Sequence, residues 1–597
     1  MITKINKKQW IKGLRKQIFH YSLFTFTFSV ALTACSDFND YNEVPVDQVA
    51  TGNQTLWDNI SQNPQLKDFA ALVKRTGFDA KLKEARAYTV WAPADGTYNL
   101  SDYEQMSDSL LLAHFVKNHV AEYVHGASGP VSERIHMLNE KSFTFEGDGA
   151  YTFGRISVKQ PNMPSNNGVM HLLDGVAAFH PNLFEYLNAG SGIEKLRNYF
   201  MHYNDTTLSD ESVKGPMVNG VQTYLDSVLV VTNSLSRALN AKLENEDSTY
   251  TFVMPTDEAY QKMYDRVKPL YNFITTTTVQ DVEQFAQATG TQTKKVTVDA
   301  AYLSDSLTRR TIVRNLIFSN NDAYNQWVVG KGVNTDTLRS TTQTKLSNPA
   351  DILDKYMVNQ PVELSNGYAR VVDSLAFYPW ETFNPQISVN PRNYLANLFG
   401  GSAHNYNIND TASVVFGKES GITNVRYTWI EPSGNYSKPD IFIFLPNVKS
   451  ATYNFYVVYL PSAWTTFGSD NRSCKLNYQI NYCKANGNTD NYFFSKPYAD
   501  AMLNGETLPK LPTAQNQLTM ETAFENDPMK TDTVFIGQFT FPVAYNGLGN
   551  DYQPNIRITS PINVFNTTQM ETYTRDVRIA AIIMKPVEYD EFEANNK

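Results

Sequence analysis

The chain has 597 residues, enough for three or more domains of ordinary size. A formal net charge of −9, with no basic run to neutralise phosphates, excludes a nucleic-acid binder. Aromatic residues make up 13% of the chain, a mix that suits β-rich surfaces and sugar contact, although aromatics build cores more often than binding platforms.

At the N-terminus Lys4, Lys7, Lys8, Lys12, Arg15 and Lys16 precede a greasy segment from Ile18 to Val30. That segment is too short, and too interrupted by Ser and Thr, to span a bilayer permanently. It closes on Leu32, Thr33, Ala34 and Cys35, which resemble a bacterial lipobox. The resemblance implies that residues 1–34 are a signal peptide and that Cys35 is lipidated as the first mature residue. Residues 35–54 then read as an acidic tether, with Asp37, Asp40, Glu43 and Asp47 and no Lys or Arg. The run Ser36-Asp37-Phe38-Asn39-Asp40-Tyr41-Asn42-Glu43 is similar to the export signal of Bacteroidetes surface lipoproteins. It implies an outer-membrane protein, lipid-anchored and facing the exterior.

Two blocks then recur. Tyr88 to Asp95 is an apolar strand ending in a Pro turn, and Tyr250 to Asp257 repeats it. Amphipathic helical stretches precede them, one lined by Phe69, Leu72, Val73 and Phe78, the other by Leu235, Leu239 and Leu243 at helical spacing. After a further helical region come strand-like Asn-Gly segments, Asn167 to Val176 and Asn366 to Leu375. Pro ends a strand because it has no N–H for the ladder, and Asp95 or Thr256-Asp257 can cap the helix that follows. Asn-Gly favours a tight turn that starts the final strand. These paired blocks resemble the signature blocks of fasciclin domains, in which they are adjacent strands of an α/β core. His119-Val120, after Leu110-Leu111-Leu112, is similar to the histidine-bearing helix end of that family. The resemblance implies one fasciclin-like domain over 55–182 and a divergent second one over 183–380, with insertions around Asn204–Val231 and Thr275–Ser304.

Beyond Trp380 helical periodicity fades. Short β runs follow at Asp440–Leu445, Tyr453–Leu460, Leu476–Tyr482, Thr533–Phe541, Asn555–Thr559 and Asp576–Met584, with Pro, Gly and Asn between them. Residues 381–597 therefore read as an all-β antiparallel sandwich, whose ending resembles the closing strand of jelly-roll modules. The whole is an α+β multidomain chain. Cys474 and Cys483 fall at the two ends of one alternating strand, about 30 Å apart and on opposite faces, too far for a disulfide.

Chemistry is sparse. His114, His119, His125 and His136 share one domain but lack zinc-ligand spacing, and His119 reads as a packed core histidine. No nucleophile elbow, phosphate-binding glycine loop or EF-hand loop is present; Gly400-Gly401-Ser402-Ala403-His404 has the wrong order for an elbow. No metal and no cofactor is expected, and no catalytic residue is assigned. Trp464, in a polar loop, and Trp429, in Tyr427-Thr428-Trp429-Ile430, are candidates for stacking on a pyranose, Trp429 being the more readily explained as a plug at the end of the sandwich. Asp-Ser/Thr pairs at Ser109, Thr206, Ser227, Ser306, Thr337, Ser374, Thr411 and Thr533 resemble the O-glycosylation acceptors of exported Bacteroides proteins.

The leading expectation is a non-enzymatic surface protein that binds a partner protein, a matrix or a glycan, since the fasciclin resemblance implies adhesion. The alternative is an accessory lipoprotein of a SusC/SusD-like nutrient importer that captures glycan or peptide. A third reading, a degradative enzyme with unrecognised acids, has plentiful carboxylates but no recognisable site.

Overall fold

The computed structural model describes residues 52–208, 213–218, 221–226, 229–274, 277–280, 295–325, 337–391, 395–398, 402–407, 426–432, 434–461, 470–545 and 552–596. The chain divides into two compact units between His180 and Pro181.

The first unit is built on a seven-stranded sheet. Tyr88–Pro93 lies between Val120–Glu122, antiparallel to it, and Gly168–Leu173, parallel to it in the register Tyr88↔Gly168 to Pro93↔Leu173. A meander of Ile156–Ser165, Ala150–Phe153, Ser142–Asp148 and Val131–His136 extends the sheet. The two parallel strands are buried along their whole length because both faces are covered. Tyr88, Val90 and Ala92 face a helical layer with Phe69, Leu72 and Phe115, while Trp91 faces the other side with Phe145 and Phe153.

The second unit opens with the same arrangement. Tyr250–Pro255 sits between Ile317–Ser319, antiparallel, and Gly367–Val372, parallel, in the register Tyr250↔Gly367 to Pro255↔Val372. The match extends to individual bonds. Asn167 Oδ1 accepts from the Leu56 N–H at 2.8 Å, and its Nδ2 donates to the carbonyls of Leu82 (2.9 Å) and Glu84 (2.8 Å). Asn366 accepts from the Leu183 N–H at 2.9 Å and donates to the carbonyls of Leu243 (2.8 Å) and Asn245 (3.0 Å).

Three local expectations change. The tight turns are Asn166-Asn167 and Ser365-Asn366, and the glycines open the strands behind them. Glycine is needed there because a Cβ on Gly168 would lie 2.0 Å from the Tyr88 carbonyl oxygen, and one on Gly367 1.8 Å from that of Tyr250. Thr256 caps the following helix, Asp257–Val267, as expected, accepting from the Ala259 N–H. Asp95 and Asp257 instead cap helices earlier in the chain: Asp95 accepts from the N–H groups of Lys67 and Asp68, and Asp257 from that of Lys195. The helix over Leu235, Leu239 and Leu243 stops at Ala238, since Asn240 turns the chain at φ 53°; the amphipathic helix in that place is Glu194–Met201. The region Asn204–Val231 carries two antiparallel pairings, Asn204–Leu208 with Leu229–Asn233 and Val213–Val218 with Val221–Asp226.

Residues beyond 380 form two facing sheets. In one, Val577–Pro586 is central, flanked by Arg426–Glu431 and Thr452–Tyr459. In the other, Asn555–Thr559 lies between Asp440–Phe444 and Ser473–Cys483. Tyr453, Phe455 and Val457 of the first sheet meet Leu476, Tyr478 and Ile480 of the second in a shared core, and the Tyr459 and Tyr478 hydroxyls touch across it. The region is not all-β: helices Lys496–Asn504 and Val587–Asn595 belong to it. The expected closing strand is an interior one, and its Pro586 leads into the terminal helix. Within the second unit the sandwich packs on the preceding repeat. The Ser450 and Ala544 N–H groups donate to the carbonyls of Leu270 and Asn272, and Lys449 Nζ reaches Tyr271 Oη at 3.0 Å.

Candidate functional site

An open cleft of about 520 Å³ lies on the sandwich where Asp440, Thr559 and Asn477 align across three strands. A segment carrying Gln515 and Leu518 forms another wall, and Tyr436 and Lys438 stand at its side. Such a volume falls within the roughly 300–1,000 Å³ of small-molecule clefts. Arg557 braces two of the lining residues, paired with Asp440 through two bonds of 2.8 and 2.7 Å and donating to Gln515 Oε1 at 2.9 Å.

Beside the cleft two aromatic rings stand in solvent. Tyr436 is 71% exposed and Phe565 79%, and they stack on each other at 5.3 Å. Local chemistry explains their positions. Tyr436 occupies the third place of a turn closed by the Ser437 N–H on the Gly434 carbonyl, and Ser437 Oγ accepts from the Gly434 N–H at 2.8 Å. Arg575 clamps that turn from behind through the carbonyls of Gly434 and Ser437. Phe565 sits at the same place in the turn Asn563–Asn566, where Asn563 Oδ1 accepts from its N–H, and Asn566 caps the helix Thr567–Thr572. Neither ring holds its own turn together.

The sequence candidates fall elsewhere. Leu32, Thr33, Ala34, Cys35 and Trp464 lie outside the described residues, as do Ser227 and Thr411. Trp429 is only 9% exposed, its indole N–H donates to the Asp576 carboxylate, and the Arg578 guanidinium lies 5.1 Å from the ring centroid. The ring is packed, and charged groups engage its N–H and lie over the ring, as expected of a plug at the end of the sandwich. Cys474 and Cys483 stand at opposite ends of Ser473–Cys483 and are not bridged to each other. Burial pushes the Cys474 thiol well above its usual range, which keeps it an inert hydrophobe.

His119 is fully buried. Its Nδ1 donates to the Phe115 carbonyl at 2.7 Å and its Nε2 accepts from the Ala177 N–H at 3.1 Å. His171 likewise bonds the His125 carbonyl at 2.8 Å and stacks on Trp91. Burial lowers both rings to about 4, against weaker opposition from those carbonyls. His114 stacks on Phe179 at 3.8 Å, away from His119. Among the described residues no group of three or more His, Cys, Asp or Glu is placed to hold a metal.

Residues 64–178 match the family model of the fasciclin domain. The chain carries a fasciclin domain. The match spans both parallel strands of the first unit, with Asn167, Gly168, Asp95 and His119 inside it. No curated protein matches the chain. Among solved structures it is similar to a fasciclin-domain pair from the insect cell adhesion molecule fasciclin I, at 13% identity and a TM-score of 0.20, covering 54% of this chain and 99% of that one. A Paenibacillus xanthan lyase matches at 10% identity and 0.18, over 42% of this chain and 20% of that one. An exo-β-1,3-galactanase from Phanerochaete chrysosporium matches at 10% and 0.15, over 33% and 29%. At such scores the structural matches carry no weight beside the fasciclin domain itself.

Tyr436, Lys438 and Phe565 escape a search for Trp or for catalytic spacing. The signal was an aromatic inside turn-forming residues, Gly434-Asn435-Tyr436-Ser437 and Asn563-Val564-Phe565-Asn566, where a ring has no strand or helix to bury it.

Proposed function

We propose that this chain is a non-enzymatic surface protein, lipidated at Cys35 and anchored in the outer membrane, that acts by binding and adhesion. The fasciclin domain at residues 64–178 carries the reading, because such domains are associated with adhesion or binding. Residues 183–380 serve as a second, divergent fasciclin-like domain; the repeated asparagine ties of Asn167 and Asn366 support it. No reaction is assigned to either repeat, since their distinctive residues are spent on holding backbone together.

The open cleft favours a second reading, an accessory lipoprotein that captures glycan or peptide for a SusC/SusD-like transporter. One pair of experiments tests both. Labelling of producing cells with an alkyne fatty acid should mark the wild type and not Cys35→Ala, and beads coated with the chain should adhere to a matrix or to each other. Adhesion lost together with the fasciclin domain supports the first reading. Recovery of a transporter with the native protein in mild detergent would move the function to the second.

A further inference from the structure

From the cleft we infer that the sandwich carries a binding site for an acidic oligosaccharide, a chain of pyranoses bearing carboxylates such as uronic acids. The site lies in the second unit, outside residues 64–178, so it rests on the glycan-capture reading of the cleft and not on adhesion through the fasciclin domain.

Three observations select this class. A pyranose presents a face of C–H groups that stacks on an aromatic ring, and two large rings stacked on each other and still 71% and 79% exposed leave ring surface for such contact at little cost of burial. Tyr436 and Phe565 are held at the corners of two turns whose bonds do not involve the rings. The platform is therefore pre-organised, and binding need not order it.

Polar groups accompany the platform, as a hydroxyl-rich ligand requires. Thr559, Ser560, Asn477 and Gln515 line the cleft, offering hydroxyls and amides. A purely apolar ligand would bury these against nothing.

Charge then separates acidic from neutral sugars. Arg557 is matched by Asp440, whereas Lys438 is half-buried in the cleft wall and has no ion-pair or hydrogen-bond partner among the described residues. Arg575, behind the Tyr436 turn, spends its donors on neutral carbonyls. The site thus carries surplus positive charge on a chain of net charge −9. A ligand carboxylate would supply the partner that Lys438 lacks, in the manner of a charge-assisted bond.

The test is affinity electrophoresis and calorimetry of the detergent-solubilised full chain. The probes are hexamers of galacturonate, mannuronate, guluronate and hyaluronan, each beside its carboxyl-reduced neutral counterpart. At least one acidic hexamer should bind. Tyr436→Ala should then weaken it tenfold or more, with the unfolding midpoint unchanged because the ring is exposed. Tyr436→Phe should retain binding, since stacking needs the ring and not the hydroxyl. Lys438→Gln should weaken the acidic hexamer several-fold, and rising salt should do the same to the wild type. Binding that survives Tyr436→Ala combined with Phe565→Ala would overturn the site. Equal binding of the reduced counterpart, or no binding across the panel, would overturn the acidic assignment.

Discussion

Asn167 ties the start of its strand to the backbone at Leu56, Leu82 and Glu84, all in buried or half-buried surroundings. Removing the side chain strands one N–H and two carbonyls, each costing on the order of 1–3 kcal/mol. Asn167→Ala should therefore lower the unfolding free energy by roughly 3 kcal/mol or more in urea titrations followed by the fluorescence of Trp57 and Trp91. A loss under about 1 kcal/mol would show that water replaces the amide. Sequence reading marked this asparagine and its glycine, but assigned them to a turn; the actual demand on Gly168 comes from the Tyr88 carbonyl on a strand far away in sequence. His119 and His171 allow a prediction in pH. Both stay neutral in the fold because burial holds them near 4, while the unfolded chain protonates at about 6.5. The first unit should keep its full stability above pH 6.5, lose it progressively down to about pH 4, and lose no more from these groups below that. Each ring accounts for on the order of 3 kcal/mol. His119→Leu, which copies Leu316 at the matching register of the second repeat, should flatten part of that slope when melting is followed between pH 4 and 7. An unchanged slope would remove His119 from the account.

Helix and strand boundaries were legible where the signal is local. The strands Tyr88–Pro93 and Tyr250–Pro255, and the sandwich strand Asn555–Thr559, fall where their apolar runs and prolines place them. Elements whose ends depend on distant partners were less legible. The helix Lys67–Arg75 starts where it does because Asp95 caps it from beyond a strand, a bond no local motif announces. The terminal helix Val587–Asn595 has acidic residues along its length and no apolar stripe in its sequence. It is held by Lys585, which bonds Asp590 at 2.6 Å and Glu593 at 2.7 Å, and by Asn454 and Tyr456, which donate to Asp590. Although burial opposes it, Lys585, Tyr456 and Asn454 keep the Asp590 carboxyl below its ordinary value. Asp590→Ala should release this helix while the sheets stay folded. Hydrogen exchange would read that as tenfold or greater acceleration of amides in 587–595 alone. No change there would mean that Trp380 stacking on Tyr589 suffices to hold the helix.

At the scale of the molecule, the sequence pointed to separate second and third domains, and the fold joins them in one unit. Leu270, Tyr271 and Asn272 end the helical layer of the second repeat and bond directly to Lys449, Ser450, Pro542 and Ala544 of the sandwich. A chain ending at residue 380 would leave these groups without partners and uncover Trp380. Residues 181–380 produced alone should therefore melt well below the same segment within 181–597, whereas 52–180 should fold by itself; circular dichroism melts of the three pieces decide this. Equal melting of the shorter and longer pieces would show the contact to be incidental. By itself the sequence determined the duplicated strand pair, the β texture beyond Trp380 and the placement of Cys474 and Cys483 on one strand, because periodicity and proline act over a few residues. Only the tertiary structure decided which aromatics are spent and which are available. Trp429 meets Asp576 and Arg578 from a strand far along the chain and is consumed, while Tyr436 and Phe565 come from turns separated by more than a hundred residues and are left in water beside a lysine with no partner among the described residues. Exposure is a property of what the rest of the chain brings near a ring; a turn pattern marks a ring without a strand or helix of its own, but not what packs on it.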